Sequence, residues 1–101
     1  MRSLSHPERS AISLTGVLYA LSDPARLAVV KALADGRESP CGEFELLTKS
    51  TLSHHFKVLR EAGVIRTRVD GRRRLISLRR EDLDARFPGL IAAVLDARAP
   101  L

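Results

Sequence analysis

Residues 50–80 read STLSHHFKVLREAGVIRTRVDGRRRLISLRR, and two different periodicities lie side by side in them. From Ser50 or Thr51 onward the apolar residues Leu52, Phe56, Leu59 and Ala62 recur at intervals of three and four, the spacing of one helix face. Gly63 stands where a left-handed residue would close that helix. Its outward face carries Thr51, Ser53, His54, Lys57 and Arg60. Beyond Gly63 the pattern changes to two β-rich runs, 64–69 and 72–78, around Asp70-Gly71, which predicts a hairpin with a two-residue turn. Strand alternation puts Ile65, Thr67 and Val69 on one side of the first run and Arg66 and Arg68 on the other.

Upstream, Ile12, Leu14, Val17, Leu18 and Leu21 fall at helical spacing, slightly weakened by Gly16. Ser22-Asp23-Pro24 is a stop and restart: Asp23 can cap a second helix, and Pro24 suits its first position, where a backbone N–H has no partner to lose. That helix runs through Leu27, Val30 and Ala34 toward Gly36. Residues 37–49 hold only Phe44, Leu46 and Leu47 as apolar anchors and are expected to contain one short helix. Downstream, helical character returns over 81–86, breaks at Pro88-Gly89, and resumes with Leu90, Ile91, Val94 and Leu95 on one stripe. The reading is one domain over residues 10–98 behind a flexible lead-in of residues 1–9, mainly α with a small two-stranded β-hairpin.

The charge is unevenly distributed. The 101 residues carry a net charge of +5, yet residues 51–80 hold nine lysines and arginines against only Glu61 and Asp70. Residues 1–50 balance at six against six, and 81–101 carry two cations against four acids. A solvated surface scatters charge, whereas a polyanion site gathers it, so the concentration points to nucleic acid. No apolar run approaches the roughly 20 residues of a bilayer span, so no membrane partner is expected. The start of the chain has no signal-peptide pattern, and the single Cys41 has no internal disulfide partner, which together suggest a reducing cytoplasm.

A polar-faced helix followed by a basic hairpin is the order of a winged helix-turn-helix, in which the helix enters the major groove. Small hydrogen-bonding side chains near its N-terminus, Ser50, Thr51, Ser53 and His54, let it approach base edges, so Thr51, Ser53 and His54 are candidates for base contact, with Lys57 and Arg60 reaching phosphate. In the hairpin Arg68, Arg72, Arg73 and Arg74 are phosphate candidates, and the last three crowd the tip. The plainer alternatives are a solvated polar helix face and a charged edge ribbon that resists aggregation. A winged-helix module that binds an acidic protein instead of DNA is the competing function.

Three stretches carry a family resemblance: Leu21-Ser22-Asp23-Pro24-Ala25-Arg26-Leu27, the run from Ser50 to Ile65, and Asp70-Gly71-Arg72-Arg73-Arg74. Over roughly residues 15–80 the sequence resembles the ArsR/SmtB regulators of prokaryotic transcription. The resemblance implies a homodimeric repressor that an effector, a small molecule or a metal, releases from operator DNA, with no enzymatic activity. It also implies a dimer interface built from the terminal helices, which assigns Leu14, Val17, Leu18, Leu21, Leu90, Ile91, Val94 and Leu95 to it. Their stripes exceed what one small core readily covers. Arg26 is assigned a mainly structural role with some reach toward phosphate.

The chain departs from that pattern in three places. Many relatives hold a metal through a Cys-x-Cys pair or through Asp and His on the last helix, and neither is present here. Cys41 alone is a poor site for thiophilic ions, and His54 and His55, as helix neighbours, point about 100° apart, so no metal or cofactor is assigned. A set assembled across a dimer from Cys41, Glu43, Glu45 and a histidine is the weaker alternative. Finally, residues 43–49 leave little length for the first helix of the pair, and the usual turn glycine is missing.

Overall fold

The structure, a computed structural model, describes residues 4–41, 44 and 49–101, with Lys49 and Ser50 described by their backbone alone. A single 3-10 turn at Arg9–Ala11 leads into α1 (Leu14–Ala20) and α2 (Pro24–Ala32). Both helices start on the caps their sequences offer. The Ser13 hydroxyl accepts from Gly16 N at 3.1 Å, and Asp23 accepts from Ala25 N and Arg26 N at 2.8 and 3.2 Å, with Pro24 at the first position. Each bond satisfies a backbone donor that the first helical turn leaves unpaired. These bonds also hold the Asp23 carboxyl below the usual carboxylate range, the Arg26 N–H first among them.

After β1 (Ser39–Pro40) come α3 (Lys49–Glu61), β2 (Ile65–Asp70), β3 (Arg73–Leu78), α4 (Arg80–Arg86) and α5 (Leu90–Asp96). The short helix expected over 37–49 falls in part on residues 42–43 and 45–48, outside the described residues, while Ser39 and Pro40 are strand. The expected two-stranded hairpin is therefore a three-stranded antiparallel sheet in the order β1-β3-β2. Ser39 pairs with Ile76 and Pro40 with Leu75. Proline at the outermost strand is the arrangement that removes a ladder donor from an edge, and no periodicity signals a strand only two residues long.

The hairpin turn is also displaced by one residue. Asp70 pairs with Arg73, so Gly71-Arg72, not Asp70-Gly71, are the loop residues. Gly71 has φ +62° and no non-glycine among the described residues has positive φ, the combination that a type II′ turn requires and a type I′ turn does not allow. Cross-strand partners share a face, so Ile65 with Leu78 and Thr67 with Ile76 look inward, Asp70 with Arg73 look outward, and Leu75, opposite Arg68 on the second face, is itself buried at 8% exposure.

The core gathers Ile12, Val17, Val30, Leu33, Leu59, Val64, Ile65, Ile76, Leu83 and Ile91, all 1% exposed or less. Three residues assigned to a dimer interface, Val17, Leu21 and Ile91, belong to this core at 0, 7 and 0% exposure. A helix stripe wide enough to serve both surfaces turns its centre to its own domain first. Leu14 and Leu18 stay outside at 46 and 47%, beside Tyr19 at 62%, while Leu90, Val94 and Leu95 are half-buried.

Residues 4–9, expected as part of the flexible lead-in, make defined contacts. Asp82 is the hub: it accepts from Arg9 Nε at 2.7 Å and from Arg79 Nε at 2.9 Å, and Arg66 Nη2 lies 3.7 Å away. Arg79, whose side chain is 5% exposed, also donates to the Pro7 carbonyl at 2.8 Å. The Arg9 hydrogen bond, followed by that of Arg79, holds the Asp82 carboxyl below its ordinary pKa against the opposing effect of burial. Removing the acid strands a buried guanidinium, so Asp82→Asn should cost about 2–3 kcal/mol at neutral pH in urea melts. Because the folded pKa is the lower one, this contribution is complete above the unfolded value of about 4 and is lost as pH falls through the folded value. The stability gap between wild type and Asp82→Asn should therefore narrow on acidification. A gap that is constant with pH would contradict the hub.

Candidate nucleic-acid interface

Helix α3 divides as its sequence divides. Phe56 and Leu59 are buried, Leu52 and Ala62 half-buried, and Thr51, Ser53, His54 and Lys57 exposed. Its position is set from both ends. At the N-terminal half the inward His55, 8% exposed, accepts at Nδ1 from Arg26 Nη1 at 3.1 Å. Arg26 Nε donates to Ala20 O at 2.6 Å and Nη2 to Tyr19 O at 3.3 Å, so one guanidinium ties the end of α1 to α3. At 6% exposure Arg26 has no route to a phosphate, which corrects that part of its assignment. The Asp23 carboxylate lies 3.9 Å from His55 Nε2. Hydropathy did not reveal the link, although His55 sits on the apolar face of its helix and opposite the Asp23-Pro24-Ala25-Arg26 cap.

The C-terminus of α3 closes on Gly63, at φ +84°, with Gly63 N donating to Arg60 O at 3.0 Å and Val64 N to Leu59 O at 2.9 Å. These are the two bonds of a Schellman motif. The chain then enters β2 directly, so the polar face of α3 and the hairpin are joined by Ala62, Gly63 and Val64 alone.

The arginines differ in their commitments. Arg68 forms a two-pronged pair with Glu38, at 2.8 and 2.9 Å, across the sheet edge, and the guanidinium beside it lowers the Glu38 pKa. Arg73 reaches Asp70 at 3.3 Å and Arg66 reaches Asp82. Among the described residues Lys57, Arg60, Arg72 and Arg74 have no acidic partner within ion-pair distance. Arg72 and Arg74 are exposed at the hairpin tip, whereas Arg60 is half-buried and its Nε is enclosed without a hydrogen-bond partner. Of the expected set, Ser53, His54 and Lys57 stand exposed on α3 and Arg72, Arg73 and Arg74 stand exposed at the hairpin tip, while Arg68 is already neutralised by Glu38. Thr51 is exposed and engaged in a contact of its own; the side chain of Ser50 lies outside the described residues.

No group of three metal-ligating side chains converges among the described residues. Cys41 is half-buried, and burial pushes its thiol pKa up while the Arg74 charge pulls weakly the other way. Glu43 and Glu45, its suggested co-ligands, lie outside the described residues. No helix among the described residues is long and apolar enough to cross a membrane.

Comparison with known proteins agrees with this architecture. A helix-turn-helix domain model matches residues 21–68. An HTH-type transcriptional regulator of Bacillus subtilis, YceK, is 42% identical over 79 residues, which cover 74% of this chain and 79% of that one. The arsenical resistance operon repressor of Staphylococcus xylosus is 36% identical over 73 residues, 70% of each chain. Among solved structures, an ArsR family transcriptional regulator superposes with a TM-score of 0.65 at 30% identity, covering 77% of this chain and 84% of that one. The transcriptional repressor BigR of Xylella fastidiosa gives 0.64 at 32% identity, with 80 and 81% coverage.

Proposed function

The chain belongs to the ArsR family of winged helix-turn-helix transcriptional regulators, and from that premise we propose that it is a homodimeric repressor that holds a pseudo-palindromic duplex site until an effector releases it. The family is one of DNA-binding regulators and not of enzymes. The observation that carries the proposal is the exposed short-polar face on α3 together with Arg72 and Arg74, which have no acidic partner among the described residues, in the hairpin one joint away. The first can read base edges; the second can hold phosphate.

Ser53 and His54 act at base edges, Lys57 on the backbone, and Arg72, Arg73 and Arg74 on the phosphates that flank the major groove. With two protomers the half-sites lie about one helical turn (~34 Å) or a multiple of it apart. Selection of bound sequences from a random duplex pool, with and without added zinc or nickel, tests symmetry, spacing and effector dependence together. In that selection His54→Ala or Ser53→Ala should relax preference at one or two positions per half-site, on the order of 1–3 kcal/mol of discrimination each, and leave the salt dependence unchanged. Absence of any duplex affinity at low salt would overturn the proposal and favour an acidic protein partner.

Dimerisation through α1 and α5 is supported by the apolar surface that remains after the monomer core is filled. Leu14, Leu18 and Tyr19 are exposed, and Leu18, Val94 and Leu101 line an open groove of about 300 Å³ between α1, α2 and the C-terminus. Leu18→Asp should place a charge there without disturbing the core, and so lower dimer affinity by roughly 2–4 kcal/mol. Sedimentation equilibrium reads this directly: a wild type that is monomeric at micromolar concentration, or a variant as dimeric as wild type, would rule out this surface.

A further inference from the structure

The joint between α3 and the hairpin is covered by a segment of chain that is remote in sequence. A Cβ built on Gly63 would lie 2.6 Å from Ile12 Cγ1 and 3.3 Å from Pro7 Cγ, so residues 7 and 12 rest directly on the turn that connects reading helix to wing. The same segment reaches the wing's outer strand. His6 Nδ1 donates to Leu4 O at 3.0 Å, which leaves the Nε2 lone pair to accept from the backbone N–H of Thr67 at 3.0 Å. β2 is an edge strand, so this N–H faces away from β3 and is satisfied by the imidazole in place of a neighbouring strand. Arg79 completes the attachment: its N–H donates to Val64 O at 2.9 Å and its Nη1 to Pro7 O at 2.8 Å. Helix end, joint and wing are thus each held by residues 6–12.

We propose that residues 6–12 form a strap that sets the angle of the hairpin relative to α3, with His6 a positioning residue for DNA binding through its neutral Nε2. A wing anchored only by three joint residues would sample several angles, and the fraction of time spent in the binding angle scales the apparent affinity. The strap raises that fraction. Protonation of His6 converts the Nε2 acceptor into a donor facing the Thr67 N–H, which breaks the bond. The groups facing the ring are Arg60 on α3, Arg66 and Thr67 on β2 and Arg79 ahead of α4, with Asp82 of α4 screening Arg66 and Arg79. Burial, then Arg60, Arg79 and Arg66, hold the imidazole below its ordinary pKa while the Leu4 carbonyl acts in the opposite direction. The strap is therefore closed at neutral pH and opens on acidification.

This inference rests on the DNA-binding reading above, and the experiment separates the two. Wild type, His6→Ala and His6→Gln are titrated against a labelled mixed-sequence duplex at low salt, between about pH 8 and pH 5. Hydrogen exchange of the Thr67 amide is measured alongside. Loss of one hydrogen bond at the joint should weaken His6→Ala about three- to tenfold at neutral pH and speed Thr67 exchange, with α2 amides unchanged. His6→Gln keeps an acceptor that does not titrate, so it should bind like wild type at neutral pH but hold its affinity on acidification while wild type loses ground to it by a similar factor. Equal affinities and parallel pH profiles for the three would overturn the positioning role, whatever Thr67 exchange shows. Should wild type bind no duplex, the DNA reading fails, and unchanged Thr67 exchange in His6→Ala would then overturn the strap itself.

Discussion

Replacing Arg72, Arg73 and Arg74 together by alanine should lower duplex affinity by about 10³-fold or more at physiological salt while leaving the fold intact. Each phosphate neutralised by a cation releases condensed counterions, so log affinity falls against log salt with a slope near −0.9 per contact. A dimer that makes on the order of ten such contacts has a slope near −9, and removing three per protomer should flatten it to about −4. The three arginines are not equivalent. Arg72 and Arg74 have no acidic partner among the described residues to surrender to DNA, whereas Arg73 would first have to leave Asp70, 3.3 Å away on the exposed tip. Arg73→Ala alone should therefore flatten the slope by less than Arg72→Ala does. Arg68, which shares Glu38 in two hydrogen bonds, should change it least. Anisotropy titrations across a salt series decide the ranking; a triple variant with the wild-type slope would exclude the hairpin from the interface.

The second large effect is on stability. Gly63→Ala should destabilise the domain by about 3–4 kcal/mol, enough to lower the melting temperature by roughly 10–20 °C in a chain of this size. Two costs coincide at this position. The backbone is left-handed at φ +84°, and the new methyl would sit 2.6 and 2.8 Å from Ile12 Cγ1 and Cδ1, atoms of a side chain that is 1% exposed and cannot move aside freely. Gly71 isolates the first cost. It has φ +62° but nothing within 4 Å of a built Cβ, so Gly71→Ala should cost only the backbone strain of a positive φ, about 1–3 kcal/mol. Thermal melts of both variants should differ by the steric part, and equal losses would mean that Ile12 does not press on the joint. The loss at Gly63 should also be partly relieved in the Gly63→Ala, Ile12→Ala double variant, since neighbours in contact do not add.

How far such features were legible depended on how local their causes are. The division of α3 into buried Phe56 and Leu59 and exposed Ser53, His54 and Lys57 follows from spacing alone, and so does the cap at Asp23, because both depend on residues within two turns of each other. The hairpin was legible as a hairpin. Its loop was misplaced by one residue because Asp-Gly and Gly-Arg both supply the positive φ a tight turn needs, and the ladder opposite decides between them. β1 was invisible for a similar reason: Ser39 and Pro40 are strand only because β3 presents Leu75 and Ile76 to pair with.

The amino-acid order by itself determined that the chain has one polar-faced helix, one basic hairpin behind it, and a charge surplus confined to that third of its length. Those are statements about neighbours along the chain, and hydrogen bonding and periodic burial enforce them locally. Which arginines remain available, which stripe residues are left over for a partner, and what braces the reading helix against the wing were decided only in three dimensions. Glu38 meets Arg68, Asp82 collects Arg9, and His6 caps Thr67, all through contacts between residues that are 30 to 73 positions apart. Charge and hydrogen-bond capacity are written in the residue; whether they are spent inside the molecule or presented to another depends on what folding brings within about 3 Å.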